Sequence, residues 1–311
     1  MSDSIGIALR FGLYVDLMLL LGLPLFGLYS LKGRERVSGA VLPFRLMLAG
    51  TAALGLLLSI ASMVVMASAM SGETAFAELR PHLEMMVLET DMGLAWVVRI
   101  VALVVGGLAV MLNHRAPGVG LLVATIAGGI ALSSLAWNGH GAMDEGIRRV
   151  WHFTTDILHL LAAGVWLGAL VALALMAKAN VLQTEERIRL LARAVTRFEL
   201  VGALIVVVIT VTGVVNYLFI VGLELDDLFL STYGILLFIK VTLFAGMLVL
   251  AALNRFHLGP FLQRSLRNGQ YWVAANALRR SVVLELAAAV LIVGLVAWLG
   301  TLSPEMEMAA E

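Results

Sequence analysis

About eight stretches of roughly 20 apolar residues, near 6–31, 45–70, 92–112, 118–137, 150–176, 197–222, 231–253 and 281–302, restrict what this chain can fold into. An α-helix rises about 1.5 Å per residue, so about 20 residues cross the roughly 30 Å hydrocarbon core of a bilayer. A soluble domain has no way to bury that many apolar helices. A chain that is 61% hydrophobic and only 14% charged also lacks the polar surface to cover them. It therefore reads as an all-α integral membrane protein of about eight transmembrane helices. Pro43, Pro81, Pro117, Pro260 and Pro304 fall outside or at the ends of the stretches, whereas Pro24 lies inside the first and predicts a kink there. The first stretch is too long for a signal-peptide core and lacks a basic leader and a small-residue cleavage site, so it reads as a retained helix.

Basic residues in short loops mark the cytoplasmic side of a membrane protein. Here they are Lys32, Arg34, Arg36 and Arg45 after the first stretch, Arg115 after the third, and Lys178, Arg187, Arg189, Arg193 and Arg197 after the fifth. Arg255, Arg264, Arg267, Arg279 and Arg280 follow the seventh. The alternate loops are acidic, with Glu73, Glu78, Glu84, Glu89 and Asp91, then Asp144 and Glu145, then Glu224, Asp226 and Asp227. Both termini are thus expected outside.

A weak internal duplication runs through the chain. Gly93, Arg99 and Asn113 have the spacing of Gly234, Lys240 and Asn254, and Asp16 precedes Phe26 by the same ten residues that separate Asp156 from Trp166. The fourth and eighth stretches end in Ala-Trp137 and Ala-Trp298. Together these suggest two parallel four-helix repeats, residues 1–144 and 145–311, within one membrane domain.

Ionised side chains deep in a bilayer cost several kcal/mol unless paired or hydrated. The duplication places one acid and one base in each half, which predicts ion pairs Asp16–Arg99 and Asp156–Lys240, with snorkelling of Arg99 as the competing reading. The fifth stretch is the most informative. Its segment Trp151-His152-Phe-Thr-Thr-Asp156-Ile-Leu-His159 puts His152, Asp156 and His159 on one helical face at offsets of four and three. The two imidazoles lie about 10.5 Å apart along the axis, too far to share one ion, though each can share one with Asp156. Just upstream, His140 occupies an outer loop beside Met143 and Asp144. On the second stretch Met63, Met66 and Met70 recur at offsets of three and four, a thioether stripe suited to Cu(I), against which ordinary packing competes. His82, Met85, Met86 and Met92 belong to an amphipathic segment read as an interfacial helix, and His114 and His257 sit among basic residues without an assigned role.

Other classes of function are poorly served. A formal net charge of zero gives no basic surface for nucleic acid. The absence of cysteine removes disulfides and thiolate metal sites, leaving histidine and fifteen methionines for any soft-metal chemistry. No Gly-x4-Gly-Lys-Ser/Thr loop occurs, so ATP does not drive this chain directly, and no enzymatic role is expected.

The Gly-His140 loop, the run from Asp156-Ile-Leu-His159 through Gly-Val-Trp166-Leu-Gly168, and Tyr233-Gly-Ile-Leu-Leu-Phe-Ile-Lys240 resemble the CopD/PcoD copper-resistance membrane proteins along essentially the whole chain. The resemblance implies a multi-pass protein of the bacterial inner membrane, which with the loop charges makes both termini periplasmic. It also implies copper transport or handling, often beside a small periplasmic CopC-like copper-binding partner. On this reading His152, Asp156 and His159 form the principal site, His140 and Met143 the mouth, and Met63, Met66 and Met70 an adjoining path. Lys240 holds or neutralises Asp156. Cu(I) is favoured over Cu(II), membrane lipid is the surrounding partner, and a homo-oligomer is an allowed arrangement. Two alternatives stand beside it: a haem-binding electron-transfer protein, for which His159 lacks a histidine on a facing helix, and an assembly protein whose polar groups only pack helices.

Overall fold

Every apolar stretch becomes helix. In this computed structural model, which describes residues 2–37, 39, 41–112, 115–139, 146–178, 181–182, 184–222 and 231–302, the α-helices are α1 (Ser2–Ser30), α2 (Phe44–Ser71), α3 (Phe76–Glu89), α4 (Asp91–Leu112) and α5 (Pro117–Ser133). They continue as α6 (Gly146–Met176), α7 (Glu185–Ile220), α8 (Thr232–Leu253), α9 (Gly259–Arg267) and α10 (Trp272–Leu299). No strand occurs among the described residues. Among the described residues eight helical spans are long and apolar enough to cross a membrane, so the protein is an all-α integral membrane protein.

α1 is the axis of the bundle. It packs against α2, α5, α6, α7 and α10, and its Leu17, Leu20, Leu23 and Phe26 are fully buried. It runs as one helix through Pro24. The outer helices instead turn large apolar side chains outward, Leu57, Val101, Leu108, Leu204, Phe238 and Val249 among them, as lipid-facing surfaces do. The interfacial segment is helical as expected: α3 lies between the second and third spans, packed on α2 and α4. Its junction with α4 is so tight that a Cβ on Gly93 would fall 2.1 Å from the Met86 carbonyl, while Thr90 Oγ1 donates to that carbonyl at 2.6 Å. Only glycine fits there.

Helices outlast their apolar runs at two places. α7 begins at Glu185, not near 197, because Ile188, Leu191, Ala194 and Val195 keep one face buried among the arginines, and the Thr184 side chain caps its start. α10 likewise begins at Trp272 with Ala274, Ala275 and Leu278 buried.

Both ends of the bundle's helical chain meet at one face, here the terminal face, where Arg10 of α1 donates to the Gly300 carbonyl after α10. At the opposite, basic face the last carbonyls of α1 are capped by guanidinium groups. Arg36 Nη2 donates to the Leu28 carbonyl at 2.6 Å, and Arg197 Nη1 to the Ser30 carbonyl at 3.0 Å. Cations there complement the negative end of the helix dipole. Glu35 pairs with Arg193 of α7. Burial alone would push the Glu35 carboxyl up, but Arg193 and the Lys32 amide hold it below the usual carboxylate range.

Packing differs between the halves. In the first, α2 packs firmly on α4; in the second, α7 is not among the principal neighbours of α8. The space left between α7 and α8 holds two cavities.

Candidate functional site

α6 and α1 approach until backbone touches backbone. A Cβ on Gly22 would fall 2.3 Å from the Gly164 carbonyl, and one on Gly168 would fall 2.4 Å from Gly22 Cα. Gly164 and Gly168 are thus a small-residue contact of the kind that packs membrane helices. They fix the height of α6 against α1, and with it the polar face that begins five residues before Gly164.

That face lines a cavity of about 210 Å³ at the terminal end of the bundle. His152, Asp156 and His159 of α6 meet Arg10, Tyr14 and Met18 of α1, Gly213, Asn216 and Tyr217 of α7, and Tyr233 and Lys240 of α8. His152 is buried and stacks on Phe219, ring centroids 5.0 Å apart. Arg148 fixes that phenylalanine, donating to its carbonyl at 2.7 Å. The four residues read from the sequence as one site, His152, Asp156, His159 and Lys240, do share one chamber.

Hydrogen bonding decides which nitrogen of His159 is available. Thr212 has one hydroxyl hydrogen, and it goes to the Val208 carbonyl at 2.6 Å. The Thr212 oxygen can therefore only accept from His159 Nδ1, 2.9 Å away. With the hydroxyl hydrogen so placed, the neutral imidazole has its proton on Nδ1 and its lone pair on Nε2, the form in which imidazole binds metal. Two more polar atoms in the lining, Asn216 Oδ1 and Tyr217 Oη, are buried without a hydrogen-bond partner.

Neither expected ion pair closes to within 4.0 Å among the described residues. Lys240 and Asp156 line one chamber, but no salt bridge within 4.0 Å joins them among the described residues, so space remains between the charges. In the other half Arg99 turns to the 3-10 turn that follows α5, its Nε donating to Ser134 Oγ at 2.8 Å. Asp16 is buried against α2 instead, its Oδ2 without a partner and 2.6 Å from where a Gly55 Cβ would stand. Leu103 closes on the same spot, 2.7 Å from that Cβ position.

The methionine stripe is also elsewhere. Met63 and Met66 pack with Met86, Leu79 and Trp96 in a separate apolar cluster between α2, α3 and α4, and Met70 is 72% exposed. None of the three lines the chamber. A methionine that does is Met18 of α1, which the sequence reading did not single out. Among the described residues no three His, Asp or Glu side chains form a ready metal cluster. His140 and Met143 lie outside the described residues; Gly139, which precedes His140, lines the chamber, and its Cβ would stand 3.1 Å from Asp156 Oδ2.

Two family models cover most of the chain: the copper resistance protein D-like N-terminal domain matches residues 1–150, and copper resistance protein D matches residues 192–299. Copper resistance protein D of Pseudomonas syringae pv. tomato is 55% identical over 307 residues, covering 99% of each chain. The chain belongs to the copper resistance protein D family. Two further relatives are the inner membrane protein YebZ of Escherichia coli, 29% identical over 96% of this chain and 98% of its own, and the copper transport protein CutJ of Bacillus subtilis. CutJ is 30% identical over 78% of this chain but only 44% of its own length. No solved structure matches the chain. Membership in the copper resistance protein D family agrees with the resemblance carried by Asp156, His159, Trp166 and Lys240.

Proposed function

We propose that this protein receives copper from the periplasm in the α6 chamber and passes it into the membrane domain as part of copper transport across the bacterial inner membrane. The observation that carries this is His159, its Nδ1 2.9 Å from Thr212 Oγ1, in a chamber shared with His152, Asp156 and Met18, in a chain of the copper resistance protein D family. Relatives named for copper resistance and copper transport support the cargo, and one named as an inner membrane protein supports the location.

The excess of basic residues on the opposite face makes the terminal face periplasmic. Copper, handed on by a periplasmic CopC-like protein, arrives past Gly139 and meets His152 before His159. Imidazole with a thioether suits Cu(I) better than Cu(II). Lys240 neutralises Asp156 while the chamber holds no copper, and the gap between them lets an incoming cation take the carboxylate over. The two halves are parallel repeats in which α1, α2, α4 and α5 correspond to α6, α7, α8 and α10. The second carries the chamber that takes the cargo.

Copper analysis of purified protein tests the reading. Asp156→Asn is expected to weaken copper at least tenfold, the effect of losing about 1.4 kcal/mol of charge attraction. Met18→Leu is expected to lower Cu(I) retention, whereas Met63→Leu with Met66→Leu leaves it at the wild-type value. Copper binding unchanged by Asp156→Asn, or lost with the α2 methionines, would overturn the assignment of this chamber.

A further inference from the structure

A second cavity lies deeper toward the basic face, in the same gap between α7 and α8. Its volume is about 350 Å³, and its wall is nearly all apolar. Its most deeply buried charged residue is Glu285 of α10, 2% exposed, which has no role in the copper chamber. Trp166 Nε1 donates to its Oε1 at 3.0 Å, and Asn254 Nδ2 to its Oε2 at 3.0 Å. Both partners are neutral, and among the described residues no salt bridge reaches it. An ionised carboxylate in such a wall is costly unless it gains a cation or a proton.

Asn254 points to the proton. Its Oδ1 is buried without a hydrogen-bond partner, and it opens the π-helical turn Asn254–Leu258 that interrupts α8 and α9, a distortion often found at functional positions. The amide thereby matches both states of Glu285. Nδ2 donates to a carboxylate, and after a half-turn of the amide Oδ1 accepts from a protonated carboxyl. The lining offers no thioether and no imidazole for soft copper. The other charged groups facing the cavity are Glu199 of α7 and Arg255 of the π turn; α6, α8 and α10 add none besides Glu285. Arg255 is engaged elsewhere, its Nη1 donating to the Glu199 carbonyl at 3.5 Å and its guanidinium lying 5.5 Å from the Phe256 ring.

We propose that this second cavity is a proton-exchange site, in which Glu285 takes up and releases one proton at the basic face. That proton is the ion exchanged against copper, a part that rests on the transport reading above. The step is a simple transfer: the carboxylate gains a proton from water at the Glu199 and Arg255 mouth, Oε2–H then donates to Asn254 Oδ1, and release reverses both. Trp166 links the two sites, since it stands about 10 Å along α6 from His159.

Infrared difference spectra of the copper-free purified protein between acid and alkaline pH test the site itself. A buried carboxylic acid band is expected in the wild type and lost in Glu285→Gln. In Trp166→Phe it is expected to persist at higher frequency, because its carbonyl loses the indole donor. Absence of the band in the wild type, or an unchanged band in folded Glu285→Gln, would overturn the proposal. In proteoliposomes, one unit of pH difference should change wild-type copper accumulation about tenfold for one-for-one exchange and leave Glu285→Gln nearly unmoved. Titrating Glu285 without copper movement in the wild type would remove transport while leaving the proton site standing. Equal pH responses in both proteins would sever Glu285 from coupling.

Discussion

Replacing His159 with alanine is expected to remove tightly held Cu(I) from the purified protein, and Thr212→Val to weaken it by about 10–100-fold without touching the metal. The difference in scale follows from the geometry. His159→Ala deletes the nitrogen whose lone pair is free, and Met18 and Asp156 alone leave a site of weak and mismatched donors. Thr212→Val keeps the ring but deletes the oxygen that accepts from Nδ1 at 2.9 Å. The proton can then sit on Nε2 and compete directly with copper. Thr212→Ser restores the hydroxyl and should return affinity to near the wild-type value. Anaerobic titration against a Cu(I) chelator gives all three affinities. Wild-type affinity in His159→Ala would take the histidine out of the site, and equal losses in Thr212→Val and Thr212→Ser would reduce Thr212 to packing.

The helices and the α6 face were legible in the sequence for one reason: both depend on local spacing. Apolar run length specifies a span, and offsets of four and three specify that His152, Asp156 and His159 share a face. What faces them depends on which helices α6 meets, and spacing carries no record of that. Thr212 and Asn216 were visible as polar residues in an apolar span, yet nothing local said that α7 would bring Thr212 to His159 and Asn216 to the chamber wall. Met63 and Met66 form the more conspicuous stripe, but α2 delivers them to α3 and α4, while the solitary Met18 is carried to the chamber by α1. The predicted ion pairs show the same limit: Ser134 lies within reach of Arg99, and Asp16 points at Gly55. Glu285 carried a signal that was missed, a lone carboxylate within the eighth span, where every ionisable group asks for a role.

Gly168→Leu is expected to cost the protein its folded state, the second large effect. A Cβ at Gly168 already falls 2.4 Å from Gly22 Cα and the carbonyl carbon beside it, with backbone on both sides and no side chain free to move away. α1 and α6 would have to separate along the contact that also seats Met18 against Gly164, so the chamber wall opens together with the bundle core. Overpacking of a well-packed interior costs about 1–3 kcal/mol even where side chains can shift, and a contact between two backbones has no such relief. A loss of about 3 kcal/mol lowers the folded fraction by roughly a hundredfold when stability is marginal. Size-exclusion profiles of detergent-extracted protein after graded heating should show Gly168→Leu and Gly22→Leu aggregating far below the wild-type temperature. Gly246→Ala, where a Cβ meets nothing within 4 Å, should match the wild type. Wild-type thermal behaviour in Gly168→Leu would mean that α1 and α6 do not meet there, and the chamber built on that contact would fall with it.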